Sequence, residues 1–265
     1  VLISIDPIPL QLGELGVGWF GLAAVVGLLL GIALTLRLAH ADGIPQAPLL
    51  DALAWAIPVG VVAARLVYLL GTWDQHVGDS ESLWELPLTG LSLWGGLVGG
   101  GVIAMSVLGA RAVDRRRVAD VVAPGLALGI AIGRSGELLQ GVGQGLPTTL
   151  PWGVVYASPL AGAPDVGVPR HPAQLYDGLL ALALLGALLL SRRGTIPASV
   201  RWWTFLAIYG AGRILLGELR LDPAFLFGLQ IEQLIAGLAV LSALLALCAT
   251  LIRPLTARPS LPLSP

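Results

Sequence analysis

Three arginines stand inside long apolar runs, where a chain this hydrophobic should not tolerate them: Arg65, Arg134 and Arg213. An arginine at the centre of a membrane helix costs about 2.5–3.5 kcal/mol on insertion scales, so it is rare and turns toward a cavity or a partner. Guanidinium keeps its charge when buried and grips phosphate through two parallel N–H donors. Several of them converging point to a bound anion, and in a membrane the phosphate at hand is a phospholipid head group. The plainer alternative is snorkelling, in which the side chain runs along its helix to reach water or a lipid phosphate. Both readings stay open for Arg65. Arg134 and Arg213 have local polar company that favours a site: Glu137 and Gln140 follow the first, Glu218 and Arg220 the second.

Two further stretches carry chemistry. Arg170-His-Pro-Ala-Gln-Leu-Tyr-Asp177 opens an apolar run with Pro172 at a first-turn position, where its missing N–H is harmless. His171 would flank that helix, with Gln174, Tyr176 and Asp177 in its first turns. Each alone is an ordinary interfacial anchor; clustered, they form a candidate site. Gly90-Leu-Ser-Leu-Trp-Gly-Gly-Leu-Val-Gly-Gly-Gly101 is either a close helix-packing face, since small residues let backbones approach in lipid, or a surface left open for lipid chains.

The elements that must position these groups follow from composition. Hydrophobic residues make up 56% of the 265 positions and charged residues 12%, against about 25% charged in soluble domains. With a mean hydropathy of +0.85, there is too little charge to cover a water-facing surface. A helix crosses the hydrocarbon core with about 20 apolar residues. Seven runs qualify, at about 18–39, 49–70, 90–110, 118–139, 172–190, 202–219 and 229–252, with six or eight as the neighbouring counts. All 15 basic residues are arginine. Arg37, Arg111, Arg115, Arg116, Arg117, Arg192, Arg193, Arg201, Arg253 and Arg258 fall on alternate connections, whereas the loop with Asp74, Asp79, Glu81 and Glu85 holds none. The positive-inside rule makes the arginine side cytoplasmic.

The expected fold is therefore all-α, a polytopic membrane protein of about seven transmembrane helices with its N-terminus outside and its C-terminus in the cytoplasm. One integral membrane domain covers residues 1–252, including a Gly- and Pro-rich outer segment at about 140–170; a proline-rich cytoplasmic tail covers 253–265. No cleavable signal peptide is expected, because the first apolar run is long and lacks a basic start. The net charge of −1 argues against a nucleic-acid partner, and the single Cys248 excludes a disulfide framework or cysteine metal site. No inverted repeat of the transporter kind is visible.

The motifs taken in order resemble the prolipoprotein diacylglyceryl transferase family along nearly the whole chain. They are Trp19-Phe20-Gly21, Ala64-Arg65-Leu-Val-Tyr68, Ser92-Leu-Trp-Gly-Gly-Leu-Val-Gly99, Gly133-Arg-Ser-Gly136 with Gly141 and Gly145, Pro151-Trp-Gly-Val-Val-Tyr156, Arg170-His-Pro-Ala-Gln-Leu-Tyr-Asp177, Tyr209-Gly-Ala-Gly-Arg213, and Gln233. HPxQLY with an upstream PWG and a GRxG is specific. The resemblance implies a bacterial inner-membrane enzyme that moves a diacylglyceryl group from phosphatidylglycerol to the lipobox cysteine thiol of a prolipoprotein, releasing glycerol phosphate, with no cofactor or metal. It also implies that Arg134 and Arg213 hold the phospholipid. Arg134, Arg213 and His171 are the candidate catalytic residues. Arg134, Arg213, Glu137, Gln140, Gly145, Gln174, Tyr176 and Tyr209 are the candidate substrate ligands.

The sequence departs from the family pattern around those arginines. Trp94 stands where the family has a histidine, Phe20 where it has a tyrosine, and Glu137 and Gln140 where it has asparagines. Val142 and Gly217 replace glutamates, with Glu218 one residue on. These exchanges keep two other functions in view: a non-catalytic relative that binds phospholipid or precursor protein, and, with less support, a lipid transporter or flippase.

Overall fold

The computed structural model describes residues 1–13, 15–76, 90–162 and 165–256. Its long helices are α1 (Trp19–Ala41), α2 (Gln46–Gly71), α3 (Leu93–Ala110), α4 (Arg115–Gln140), α5 (Ala173–Ser191), α6 (Val200–Gly217) and α7 (Ile231–Thr256). The chain is thus all-α in its body, with seven long helices near the seven apolar runs. Six of them are long and apolar enough to cross a membrane. The seventh, α6, is 18 residues long but carries Arg201 and Arg213, and it packs among α4, α5 and α7.

Sequence explains where several helices begin and end. The third run starts at Leu93 rather than Gly90 because Gly90 has φ +78° and the Ser92 hydroxyl accepts the Gly95 N–H at 3.1 Å as an N-cap. Asp114 caps α4 by accepting from Arg116 N at 3.0 Å, and Gly141 ends it in the left-handed region at φ +81°. At the other extreme, α7 continues past the expected end at Ile252, so Arg253 and Pro254 are helical rather than part of a tail. A proline there forfeits one backbone bond without breaking the helix. The tail from residue 257, with Arg258, and the acidic residues Asp79, Glu81 and Glu85 lie outside the described residues.

Lipid tails are as apolar as leucine, so helices associate through close packing and polar contacts rather than by escaping water. Glycines supply the close packing. A Cβ at Gly27 of α1 would lie 2.7 Å from Gly129 O of α4, and one at Gly31 would lie 2.6 Å from Gly125 O. The Gly90–Gly101 run turns out to be mainly a packing face. A Cβ at Gly95 or Gly100 would strike Ala63 O or Ala56 O of α2 at 2.7 and 2.9 Å, while Gly101 alone in that helix faces open space.

Successive helices run in opposite directions, so their ends gather on two faces. On one, Asp42 pairs with Arg192, Asp51 with Arg111 at 2.6 Å, and Asp120 with Arg201 at 3.8 Å. On the other, β1 (Leu2–Ile3) lies parallel to β4 (Val155–Tyr156), and the Val1 amino group donates to Gly153 O at 2.7 Å. A small hairpin of β2 (Leu10–Leu12) and β3 (Leu15–Val17) precedes α1. These short strands were not foreseen from the sequence. Tyr156 fastens this segment to the bundle: its hydroxyl donates to Leu138 O of α4 at 2.7 Å, and burial pushes its phenol above the ordinary pKa.

The most buried helix, α4, caps two others with its own side chains. Near its start, Asp120 accepts from Ser199 N at 2.9 Å and Trp202 N at 3.0 Å, satisfying the open N–H groups of α6. At its end, Gln140 Oε1 accepts from Phe20 N at 2.8 Å, supplying the cap that Gly18 lacks for α1. Replacing Asp120 by Ala should lower the unfolding midpoint in detergent by the equivalent of about 1–3 kcal/mol, the cost of orphaning buried donors. Asp120→Asn, which keeps an acceptor, should recover part of it; equal midpoints for Ala and wild type would refute the cap.

Candidate functional site

Arg134 stands on the penultimate turn of α4, and Arg213 on the penultimate turn of α6, toward the same face. They are 7% and 1% exposed, so neither snorkels. Each is held by two carboxylates. Arg134 Nη1 donates to both oxygens of Glu137 at 2.7 Å. Its Nε lies 2.8 Å from Asp177 Oδ2 on α5, an ion contact without the alignment of a hydrogen bond. Arg213 donates to Glu232 Oε2 on α7 from Nη2 at 2.6 Å and from Nε at 3.1 Å. Its Nη2 also reaches Asp222 Oδ2 at 3.2 Å. Asp222 in turn accepts from Arg220 Nε at 2.7 Å. Because a lone buried charge is so costly, removing one partner of such a pair destabilises by about 3–5 kcal/mol. The paired acids are what make these arginines tolerable inside the bundle.

Aromatic residues line the adjoining space. Tyr209, one turn before Arg213, is fully buried, stacked on Phe205 at 5.7 Å and on Trp94 of α3 at 5.9 Å. Several buried polar atoms here lack a hydrogen-bond partner among the described residues: Trp94 Nε1, the Tyr209 hydroxyl, Arg213 Nη1, Asp177 Oδ1 and Gln174 Oε1. Native structures leave few such atoms, and each asks for an explanation.

The remaining sequence candidates fall into a second group. His171, at the start of α5, has Nδ1 3.4 Å from the Tyr176 hydroxyl, which accepts from Trp152 Nε1 at 2.8 Å. Gly145 donates its N–H to His171 O at 3.1 Å, and a Cβ there would lie 2.6 Å from the His171 Cβ, so only glycine fits. Gln174 is 1% exposed and donates to Val142 O at 2.6 Å. Thus Arg134 and Glu137 meet Asp177, with Arg213 and Tyr209 on the neighbouring helix, whereas Gln174 bonds the segment after α4 and His171, Tyr176 and Gly145 sit in the segment that closes this face. Gln140 serves the α1 cap. Arg65 donates to Gly90 O at 3.3 Å and lies 5.5 Å over the Tyr68 ring, at the edge of the bundle.

The departures have local causes. A Cβ at Gly217 would lie 2.5 Å from Gln233 Nε2, so a glutamate cannot stand there while Gln233 holds Ile214 O and Glu218 Oε1 at 3.1 and 2.9 Å. Glu218 meets Gln233 from the next position instead. Sequence reasoning gave no role to Glu232 and Asp222, and none to Asp177 beyond its place in a motif. The signal that would have found them is the arginines' need for acids at the same depth.

Asp222 gives this network a pH signature. Burial alone would raise its pKa, but Arg220 and Arg213 outweigh burial and hold it at about 2, below the ordinary 3.8. A folded pKa lowered in this way adds stability above the unfolded value, and that stability is lost as pH falls through the folded one. Thermal unfolding in detergent should therefore lose stability between about pH 4 and pH 2, and Asp222→Asn should flatten that decline. An unchanged slope in the variant would count against the pairing.

Residues 7–249 match the family model for prolipoprotein diacylglyceryl transferase. Similar proteins carry the name phosphatidylglycerol–prolipoprotein diacylglyceryl transferase. That of Clostridioides difficile is 28% identical over 91% of this chain and 94% of its own length. That of Bacillus cytotoxicus is 30% identical over 90% of each, and that of Synechococcus elongatus 31% over 92% of this chain and 87% of its own. With the match covering nearly the whole chain, helices and arginines included, the protein belongs to the prolipoprotein diacylglyceryl transferase family.

Proposed function

We propose that this protein transfers the diacylglyceryl group of phosphatidylglycerol to the lipobox cysteine thiol of a prolipoprotein, in a bacterial inner membrane. Family membership and the names of the relatives support the reaction. The arginine-rich helix ends support an orientation with that face in the cytoplasm and the site face outside. The observation that carries the reading is the pair Arg134 and Arg213, both buried and both near the same end of the bundle.

The chemistry is a displacement at carbon. The cysteine sulfur forms a bond to the glyceryl carbon as that carbon's bond to the phosphate oxygen breaks. Glycerol phosphate leaves with the bonding pair, and the product is a thioether. Charge grows on the leaving phosphate, and positioned donors that meet it there lower the barrier. Arg213 Nη1 and Trp94 Nε1 are free to do so, while Arg134 must share its donors between phosphate and the two acids. The thiol must lose its proton to attack, and His171, half-buried on the site face, takes it.

A second reading, lipid or precursor binding without transfer, draws support from Trp94. An indole donates a hydrogen bond but takes no proton at the position where the family has an imidazole.

The two separate in one experiment. The purified chain, given phosphatidylglycerol vesicles and a lipobox peptide, should add a diacylglyceryl mass to the peptide, and a cell depleted of its own transferase should be rescued. Arg134→Ala should cut transfer by about 100-fold or more. Phospholipid binding with no mass change, from well-folded protein, would establish the non-catalytic reading.

A further inference from the structure

Two helix hairpins of the bundle repeat each other. The pair α1 and α2 aligns with the pair α3 and α4 at a spacing of 69 positions, which matches Gly27 with Gly96, Gly31 with Gly100, Asp51 with Asp120, Gly60 with Gly129 and Arg65 with Arg134. Their contacts repeat as well. α1 packs on α4 as α3 packs on α2: a Cβ at Gly31 would meet Gly125 O at 2.6 Å, and one at Gly100 would meet Ala56 O at 2.9 Å. The turns inside the hairpins agree bond for bond. In the first, the N–H groups of Asp42, Gly43 and Ile44 donate to the carbonyls of Leu38, His40 and Ala39; in the second, those of Arg111, Ala112 and Val113 donate to Val107, Gly109 and Leu108. Gly43 and Ala112 both adopt the left-handed region, at φ +66° and +53°.

Differences between the copies separate what the turn requires from what it does not. The first turn forms with Asp42, Gln46, Ala47 and Pro48 where the second has Arg111, Arg115, Arg116 and Arg117. Those arginines are therefore not needed to build it. Between the two turns lies a cavity of about 280 Å³, lined by Ile44, Pro45 and Pro48 on one side and by their counterparts Val113, Asp114 and Arg117 on the other, with Arg111 beside them. Among the described residues, Arg111 spends one terminal nitrogen on Asp51 at 2.6 Å, and Arg117 spends one on Asp42 O at 2.5 Å. Each keeps further N–H groups for a ligand. The Asp114 carboxylate is already engaged by Arg116 N, and the exposed side chains of Arg115 and Arg116 add positive charge at the rim.

Donors in parallel pairs suit a phosphate. The wall beyond the cavity suits a lipid. Pro48, Asp51 and Trp55 share one side of α2, and Trp55 is 64% exposed, so acyl chains hanging from the cavity meet its indole. We propose that this cavity holds the phosphate of an anionic phospholipid in the leaflet opposite the face that carries Arg134 and Arg213, gripped by Arg111 and Arg117. Basic pockets between helix ends hold acidic head groups in this way. Bound there, the lipid joins the two hairpins across their junction, and it does so independently of the transfer reaction.

A fluorophore on Ala47→Cys, in a Cys248→Ser background, reads the cavity directly. The full chain is placed in phosphatidylcholine nanodiscs doped with phosphatidylglycerol or with phosphatidylcholine, each carrying the same spin label high on one acyl chain. At equal doping, phosphatidylglycerol should occupy the quenching position about tenfold more than phosphatidylcholine. Arg111→Lys and Arg117→Lys keep the charge but lose the paired donors, and each should bring that preference down to about threefold. Because two lipids are compared within each protein, a general loss of fold cancels. No preference in the parent protein overturns the site. A preference that both lysine variants keep in full means diffuse surface charge, and overturns it too. Loss of the preference when inorganic phosphate is added at constant ionic strength overturns the lipid assignment in favour of a soluble anion.

Discussion

Two guanidinium groups inside an apolar bundle set the terms for everything around them. Each needs acids at its own depth, and for each arginine one of those acids comes from another helix. Arg134 ties α4 to α5 through Asp177, and Arg213 ties α6 to α7 through Glu232. Taking two charges out of water costs several kcal/mol per ion even after relaxation, so this pairing adds little net stability over an apolar core. Its effect is to fix register. A shift of α5 or α7 by one turn would strand a charge, which penalises every alternative arrangement of the same greasy helices.

That specificity matters because the usual organiser of a fold is weak here. Apolar surface gains little by turning from lipid to protein, and exposed leucines such as Leu215, Leu238 and Leu245 face outward at no cost. Register falls to contacts with directions. Glycines close α1 on α4 and α2 on α3, and the side chains of Asp120 and Gln140 close the open helix starts of α6 and α1. Since both caps belong to α4, that helix is held at its two ends by polar bonds and along its length by backbone contact. The guanidinium of Arg134 is thereby mounted on the most constrained element of the bundle.

Hydropathy made the helices legible, because in a membrane length and apolarity are nearly sufficient to define a span. The charged residues that broke the pattern marked the candidate site, and the burial of Arg134 and Arg213 sets aside the snorkelling reading. What sequence did not reveal was the company they keep. Glu232 follows an apolar loop and opens α7, Asp222 lies in the connection between α6 and α7, and neither sits within a turn of Arg213. Gln140 illustrates the converse. Its place after Glu137 suggested a ligand role and gave no sign that its carbonyl is engaged by Phe20 N, a partner 120 positions away. Long-range pairing is set by how helices assemble, and periodicity within one helix carries no trace of it. The short strands β1 and β4 escaped for the same reason, being joined by a pairing across more than half the chain.

The exchange at Trp94 shows how a site can change one half of its chemistry and keep the other. An imidazole can both donate an N–H and take a proton, whereas an indole only donates. Trp94 is buried against Tyr209, with its Nε1 unpaired, so the capacity to meet negative charge on a leaving phosphate survives. The capacity to accept the thiol proton there does not. Phosphate loss and thiol deprotonation are separable demands that act on different atoms of the two substrates, and nothing requires one residue to meet both. His171 lies on the connection that closes the site face rather than among the arginines, with its ring held against Tyr176. In the reaction proposed above, a proton acceptor there would meet the incoming peptide rather than the lipid. The bundle interior would meet the phosphate and the closing segment the thiol, and the Trp94 exchange would sharpen that division.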